Sequence, residues 1–150
     1  MKLSHFLQIQ TPVSGFNALQ ILGFVGYSVR TIEFCGKLLD ELPDALIVAD
    51  LKGTIQVWNK RAESMFKIEK IDAIDKSLDI IIPVHLRNAH WAGFHRAISA
   101  DDTRLHGAPV RTKALLGDGS TTFVDMAFSL THDEDGHLVG VTAIARLAAN

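Results

Sequence analysis

The chain has 150 residues, 47% of them hydrophobic and 21% charged, with a formal net charge of −2. This suits one globular domain with a full core and excludes a disordered chain, and the lack of a basic excess removes the electrostatic footprint of a nucleic-acid binder. The single cysteine, Cys35, excludes an internal disulfide and a cysteine-based zinc site and favours a reducing, cytoplasmic setting.

Residues 3–29 contain no Asp, Glu, Lys or Arg. Their most apolar part, ALQILGFVGYSV from Ala18 to Val29, is shorter than the roughly 20 apolar residues of a membrane span. Gln8, Gln10, Ser14, Asn17 and Gln20 dilute the stretch before it, and no signal-peptide cleavage site follows. Membrane insertion is therefore not expected. From about Phe16 to Leu42 apolar residues recur at helical spacing until Pro43 stops the pattern. Leu19, Leu22, Val25 and Val29 form a stripe on this predicted helix, which implies a homodimer through the N-terminal segment.

The texture then changes. Ala45 to Ala49 and Ile55 to Trp58 read as two strands around a turn at Asp50 to Gly53. KRAESMFKI and IDAIDKSLDIII read as short helical pieces. Pro83 opens a longer helix, roughly Val84 to Ala100. Three further strands are predicted at Leu105 to Leu116, Thr121 to Leu130 and Leu138 to Leu147, joined by the polar turns GDGS and HDEDGH. Strands joined by such turns pair antiparallel, and helices inserted mid-chain pack on one face of the sheet. The expected organisation is an N-terminal segment and helix, residues 1–37, for dimerisation or docking. An α+β domain, residues 38–150, follows, with a cavity between its long helix and its sheet as the natural ligand site.

His85, His90 and His95 recur every five residues on the long helix. Steps of five turn a side chain by about 500°, so the three diverge, whereas zinc helices pair histidines at i and i+4. His90 shares a face with Leu86, Phe94 and Ala97, an otherwise apolar face that should point inward. A buried imidazole needs partners for its nitrogens. Metal coordination is one solution and a bond to a backbone carbonyl is the other. HDEDGH lacks the spaced ligands of a calcium loop. No nucleophile has a recognisable triad context, so no enzyme activity is expected.

LPDALIVADLKGTIQVWNKRAESMF, the IIP entry to the long helix, the GDGS hairpin and DEDGHLVGVTAIARL occur in an order that resembles a PAS domain, the sensory module of bacterial signalling proteins. The resemblance covers Leu38 to Ala148. It implies a five-stranded antiparallel sheet with helices covering one face, preceded here by the N-terminal helix. Within it, IPVHLRNAHWAGFHRA is similar to the helix of haem-binding, oxygen-sensing PAS domains that carries the proximal histidine. The resemblance puts His90 in that role for a b-type haem. It puts Leu86 and Phe94 beside His90, and Leu105, Met126 and Phe128 on the gas-binding side. Where that family offers a distal arginine or methionine, this chain has Val110 and Ala108, so an apolar distal wall is expected. The function implied is sensing of a diatomic gas, with output through a downstream signalling protein or domain. Two alternatives stay open: a haem-free interaction module that binds a small apolar metabolite or nothing, and a small enzyme that uses the same cavity.

Overall fold

The computed structural model describes residues 30–149. Residues 38–149 form one compact unit, and residues 30–37 belong to another. Residues 30–40 are helical (α1), and the turn before Pro43 follows directly. The predicted stripe Leu19, Leu22, Val25 and Val29 lies outside the described residues.

Five strands make one antiparallel sheet in the order β2-β1-β5-β4-β3. They are β1 (Ala45–Asp50), β2 (Ile55–Trp58), β3 (Val110–Leu115), β4 (Thr121–His132) and β5 (Leu138–Leu147). Helices α2 (Lys60–Phe66), α3 (Lys70–Ala73) and α4 (Arg87–Ala100) lie between β2 and β3 in the chain, with 3₁₀ turns at Leu78–Ile81 and Val84–Leu86. The alternation of each strand fixes its inner face. One row runs Ala45, Ala145, Met126, Val110 across four strands, and the next runs Ile47, Ala143, Phe128. Ile47, Val124, Met126, Ala143 and Ala145 are buried in the core with Trp58, Phe66 and Phe94. Alanines at 49, 114 and 143 keep parts of this face low, which leaves space under the helices.

Asn59 joins three elements. Its Oδ1 accepts the Ala62 N–H at 2.9 Å, capping α2, and the Leu46 N–H of β1, also at 2.9 Å. Its Nδ2 donates to Leu39 O at 3.1 Å and Asp44 O at 3.0 Å.

Two predicted boundaries are corrected. The strand expected from Leu105 begins only at Val110. Arg104, His106 and Gly107 adopt left-handed backbone (φ 56°, 46° and 79°), which no strand accommodates, and Pro109 has no N–H for the ladder. The helix expected from Val84 is α-helical only from Arg87, after a tighter 3₁₀ turn.

The β1–β2 turn is built on Gly53 at φ +80°, which lies directly against the Trp91 ring and leaves no room for a Cβ. Gly53→Ala is expected to cost about 1–3 kcal/mol, combining backbone strain with displacement of Trp91. Urea unfolding of wild type and variant measures this. Equal midpoints would contradict the packing described.

Candidate functional site

Between α4 and the inner face of the sheet lies a cavity of about 550 Å³, within the range of roughly 300–1,000 Å³ typical of small-molecule and cofactor sites. The helix contributes His90, Gly93, Phe94 and Ala97, and the 3₁₀ turn before it contributes Leu86. The sheet contributes Ile47 and Ala49 from β1, Val110, Thr112 and Ala114 from β3, Met126 and Phe128 from β4, and Val141 and Ala143 from β5. All seven residues singled out from sequence line it: His90, Leu86, Phe94, Leu105, Val110, Met126 and Phe128. Leu105 does so from the α4–β3 loop rather than from a strand, and Ala108 is not among the lining residues.

The histidines divide as the helical geometry requires. His85 and His95 are exposed, while His90 turns inward. His90 Nε2 is buried and has no hydrogen-bond partner. Buried polar groups are almost always paired, so an unpartnered imidazole nitrogen in a cavity wall is a candidate contact point for a ligand. Burial pushes the His90 pKa below its usual value, the Asp79 carboxylate opposes this, and His95 adds slightly to it. The ring is therefore neutral at neutral pH, the state in which a nitrogen lone pair is available to a metal.

The cavity is apolar at depth and charged toward solvent. Arg96, Asp102 and Arg104 are exposed lining residues, and Lys113 is half-buried. Asp102, Thr103, Arg104 and Leu105 belong to the loop whose left-handed residues delay β3. Thr112 adds a hydroxyl-bearing side chain to the part of the lining that β3 supplies. Sequence reasoning passed over Thr112, although it lies two residues beyond Val110 and strand alternation puts both on one face. Arg111, between them, turns outward and forms a bidentate pair with Asp125 at 2.9 and 3.1 Å.

Trp91 donates its indole N–H to Asp79 Oδ1 at 2.9 Å, and its ring packs against the core. Asp79 had no sequence signal beyond being a lone carboxylate in the apolar run LDIII. At the HDEDGH turn, Asp133 Oδ1 accepts the N–H groups of Asp135 and His137. The side chains of Asp133, Asp135 and His137 are close together and exposed.

The model of a family described as the PAS fold matches residues 39–147. The chain belongs to the PAS-fold family. This PAS domain is 30% identical over 84 residues to the sensor protein FixL of Bradyrhizobium diazoefficiens, covering 56% of this chain and 17% of that protein. It is 34% identical over 84 residues to an uncharacterized protein of Azorhizobium caulinodans, covering 55% of this chain and 11% of that one. The chain thus spans less than a fifth of either relative. Among solved structures, a PAS domain from Colwellia psychrerythraea superposes with a TM-score of 0.67 at 21% identity, covering 79% of this chain and 97% of that one. The PAS domain of an HTR-like protein from Haloarcula marismortui gives 0.64 at 18% identity, covering 85% and 99%. These structural likenesses establish the fold. No helix among the described residues is long and apolar enough to cross a membrane.

Proposed function

We propose that this chain is a sensory PAS domain that holds a b-type haem through His90 and responds to a diatomic gas. The observation that carries the reading is the buried, unpartnered Nε2 of His90 in the wall of a largely apolar cavity. Imidazole is a standard axial ligand of haem iron, and the similarity to FixL, a sensor protein, supports the same reading. When bound, haem would supply the iron centre that captures the gas. The chain's own residues do the rest. His90 offers a neutral imidazole. Leu86, Phe94, Met126 and Phe128 exclude water from the interior. Arg96 and Arg104 on the open side suit the carboxylates of a porphyrin. A signal read here passes to a partner protein or domain, and a homodimer through the N-terminal helix is part of the same proposal.

The distal wall sets the selectivity. Ala108 and Val110 carry no donor, and Thr112 offers one neutral hydroxyl. Oxygen gains more than carbon monoxide from a charged donor, and such a bond is worth about 1.5–3 kcal/mol, or roughly 10- to 150-fold in affinity. Val110→Arg is therefore expected to strengthen oxygen binding relative to carbon monoxide by a factor in that range. The measurement is equilibrium gas titration of the reduced, haem-loaded protein. An unchanged ratio of dissociation constants would contradict the assignment of β3 as the distal wall. A loaded protein whose spectrum responds to neither carbon monoxide nor nitric oxide would contradict gas sensing itself.

A haem-free metabolite-binding module is the second reading, because the same apolar cavity with a charged mouth also fits an amphipathic carboxylate. It predicts that haemin does not bind in a defined ratio.

A further inference from the structure

Two rings hold the His90 imidazole. Trp91 meets it edge-on, with centroids 5.1 Å apart and planes at 83°. Phe94 lies more nearly parallel to it at 6.0 Å and 29°, and meets Trp91 edge-on at 5.3 Å. Trp91 is fixed at two points of its own. Its indole N–H donates to Asp79 Oδ1 at 2.9 Å, and its six-membered ring rests on Gly53 without room for a Cβ.

Asp79 is held in turn. The Arg87 guanidinium donates to the Asp79 carbonyl at 2.9 Å and, through Nε, to the Ile82 carbonyl at 3.2 Å, and Nε lies 3.7 Å from the Asp79 carboxylate. The carboxylate therefore has a fixed place beside α4. Through the Trp91 indole it stands one ring away from the imidazole, close enough for its negative charge to act on the ring. A metal-binding histidine depends on such surroundings, since groups behind it orient the ring and set its strength as a ligand.

We propose that Asp79 and Trp91 are positioning residues for His90: Trp91, pinned between the Asp79 carboxylate and Gly53, fixes the plane of the imidazole, and the Asp79 charge makes that imidazole a stronger electron donor. This rests on the reading of His90 as the haem ligand. Asp79 and Trp91 act through His90 and touch no ligand themselves.

The experiment compares the full chain as wild type, Asp79→Asn and Trp91→Phe. Haemin is titrated into each, and the iron–histidine stretching vibration of the reduced protein is read by resonance Raman. Asp79→Asn keeps an oxygen for the indole N–H and removes the charge. It is expected to lower the vibration frequency while changing haem affinity less than about 10-fold. Trp91→Phe removes the indole N–H and the ring that rests on Gly53. It is expected to weaken haem binding roughly 10- to 100-fold and to broaden the vibration as the imidazole samples more orientations. Wild-type affinity and an unshifted, unbroadened vibration in both variants would overturn the inference and leave haem binding by His90 standing. Where Trp91→Phe does not fold, the isosteric Asp79→Asn change decides: an unshifted vibration overturns the proposal. A wild type that takes up no haem overturns both the inference and the reading beneath it.

Discussion

His90→Ala is expected to abolish tight haem binding, while His85→Ala and His95→Ala retain it. His90 and His95 lie on α4 and His85 on the 3₁₀ turn before it, so the three share one residue type and differ in where the backbone aims them. His85 and His95 are exposed, whereas His90 lines the cavity with its Nε2 unpaired. Loss of groups behind a metal ligand already costs roughly 10- to 100-fold in affinity, so loss of the ligand itself should exceed about 100-fold. Haemin titration followed by absorbance measures this. His90→Gly offers a check on folding, because free imidazole added to that variant should restore part of the spectrum. Equal losses in all three alanine variants would show that haem associates with the helix surface instead of the cavity.

The second large effect concerns the frame. Asn59→Ala is expected to cost roughly 3–5 kcal/mol, because it leaves two buried N–H donors and two carbonyls without their partner. Asn59 is 1% exposed, so water cannot substitute for the lost amide. Leu46 and Ala62 lose the acceptor of their N–H groups, and the Leu39 and Asp44 carbonyls lose a donor. For a domain of this size the loss corresponds to a fall of roughly 10 °C or more in Tm. Asn59→Asp should be similarly destabilised, since it keeps the acceptor but turns charge toward two carbonyls. Thermal and urea unfolding check both. A cost below about 1 kcal/mol for Asn59→Ala would mean that these bonds are replaced on unfolding as easily as surface ones.

Much of this frame is legible in the chain. Strand alternation in TTFVDMAFSL, with its inward Val124, Met126 and Phe128, is a local signal with a period of two, and local signals survive folding. β5 follows its predicted limits for the same reason. The start of β3 was legible only in part: Gly107 and Pro109 are strand-breaking signals within the expected strand, whereas nothing in Arg104 or His106 announces left-handed backbone in a residue other than glycine.

The site divides in the same way. Steps of four residues over about two turns bring Leu86, His90 and Phe94 to one face, and the helical period predicts that. The pairing of Trp91 with Asp79 joins residues on two elements, and the contact with Gly53 reaches a third. Only tertiary packing creates those neighbours. Thr112 and the alanines of the sheet face were open to prediction from strand period. Strand period marks Ala49, Ala114 and Ala143 as small inward residues one strand at a time, and the sheet pairing gathers them under the helices, where the core leaves space.

The most direct measurement is the absorption spectrum of the purified full chain during titration with haemin. The account predicts a sharp Soret band that saturates at one haem per chain and is absent from His90→Ala under the same conditions. A broad band that grows without saturation, or one that is identical in His90→Ala, would contradict it.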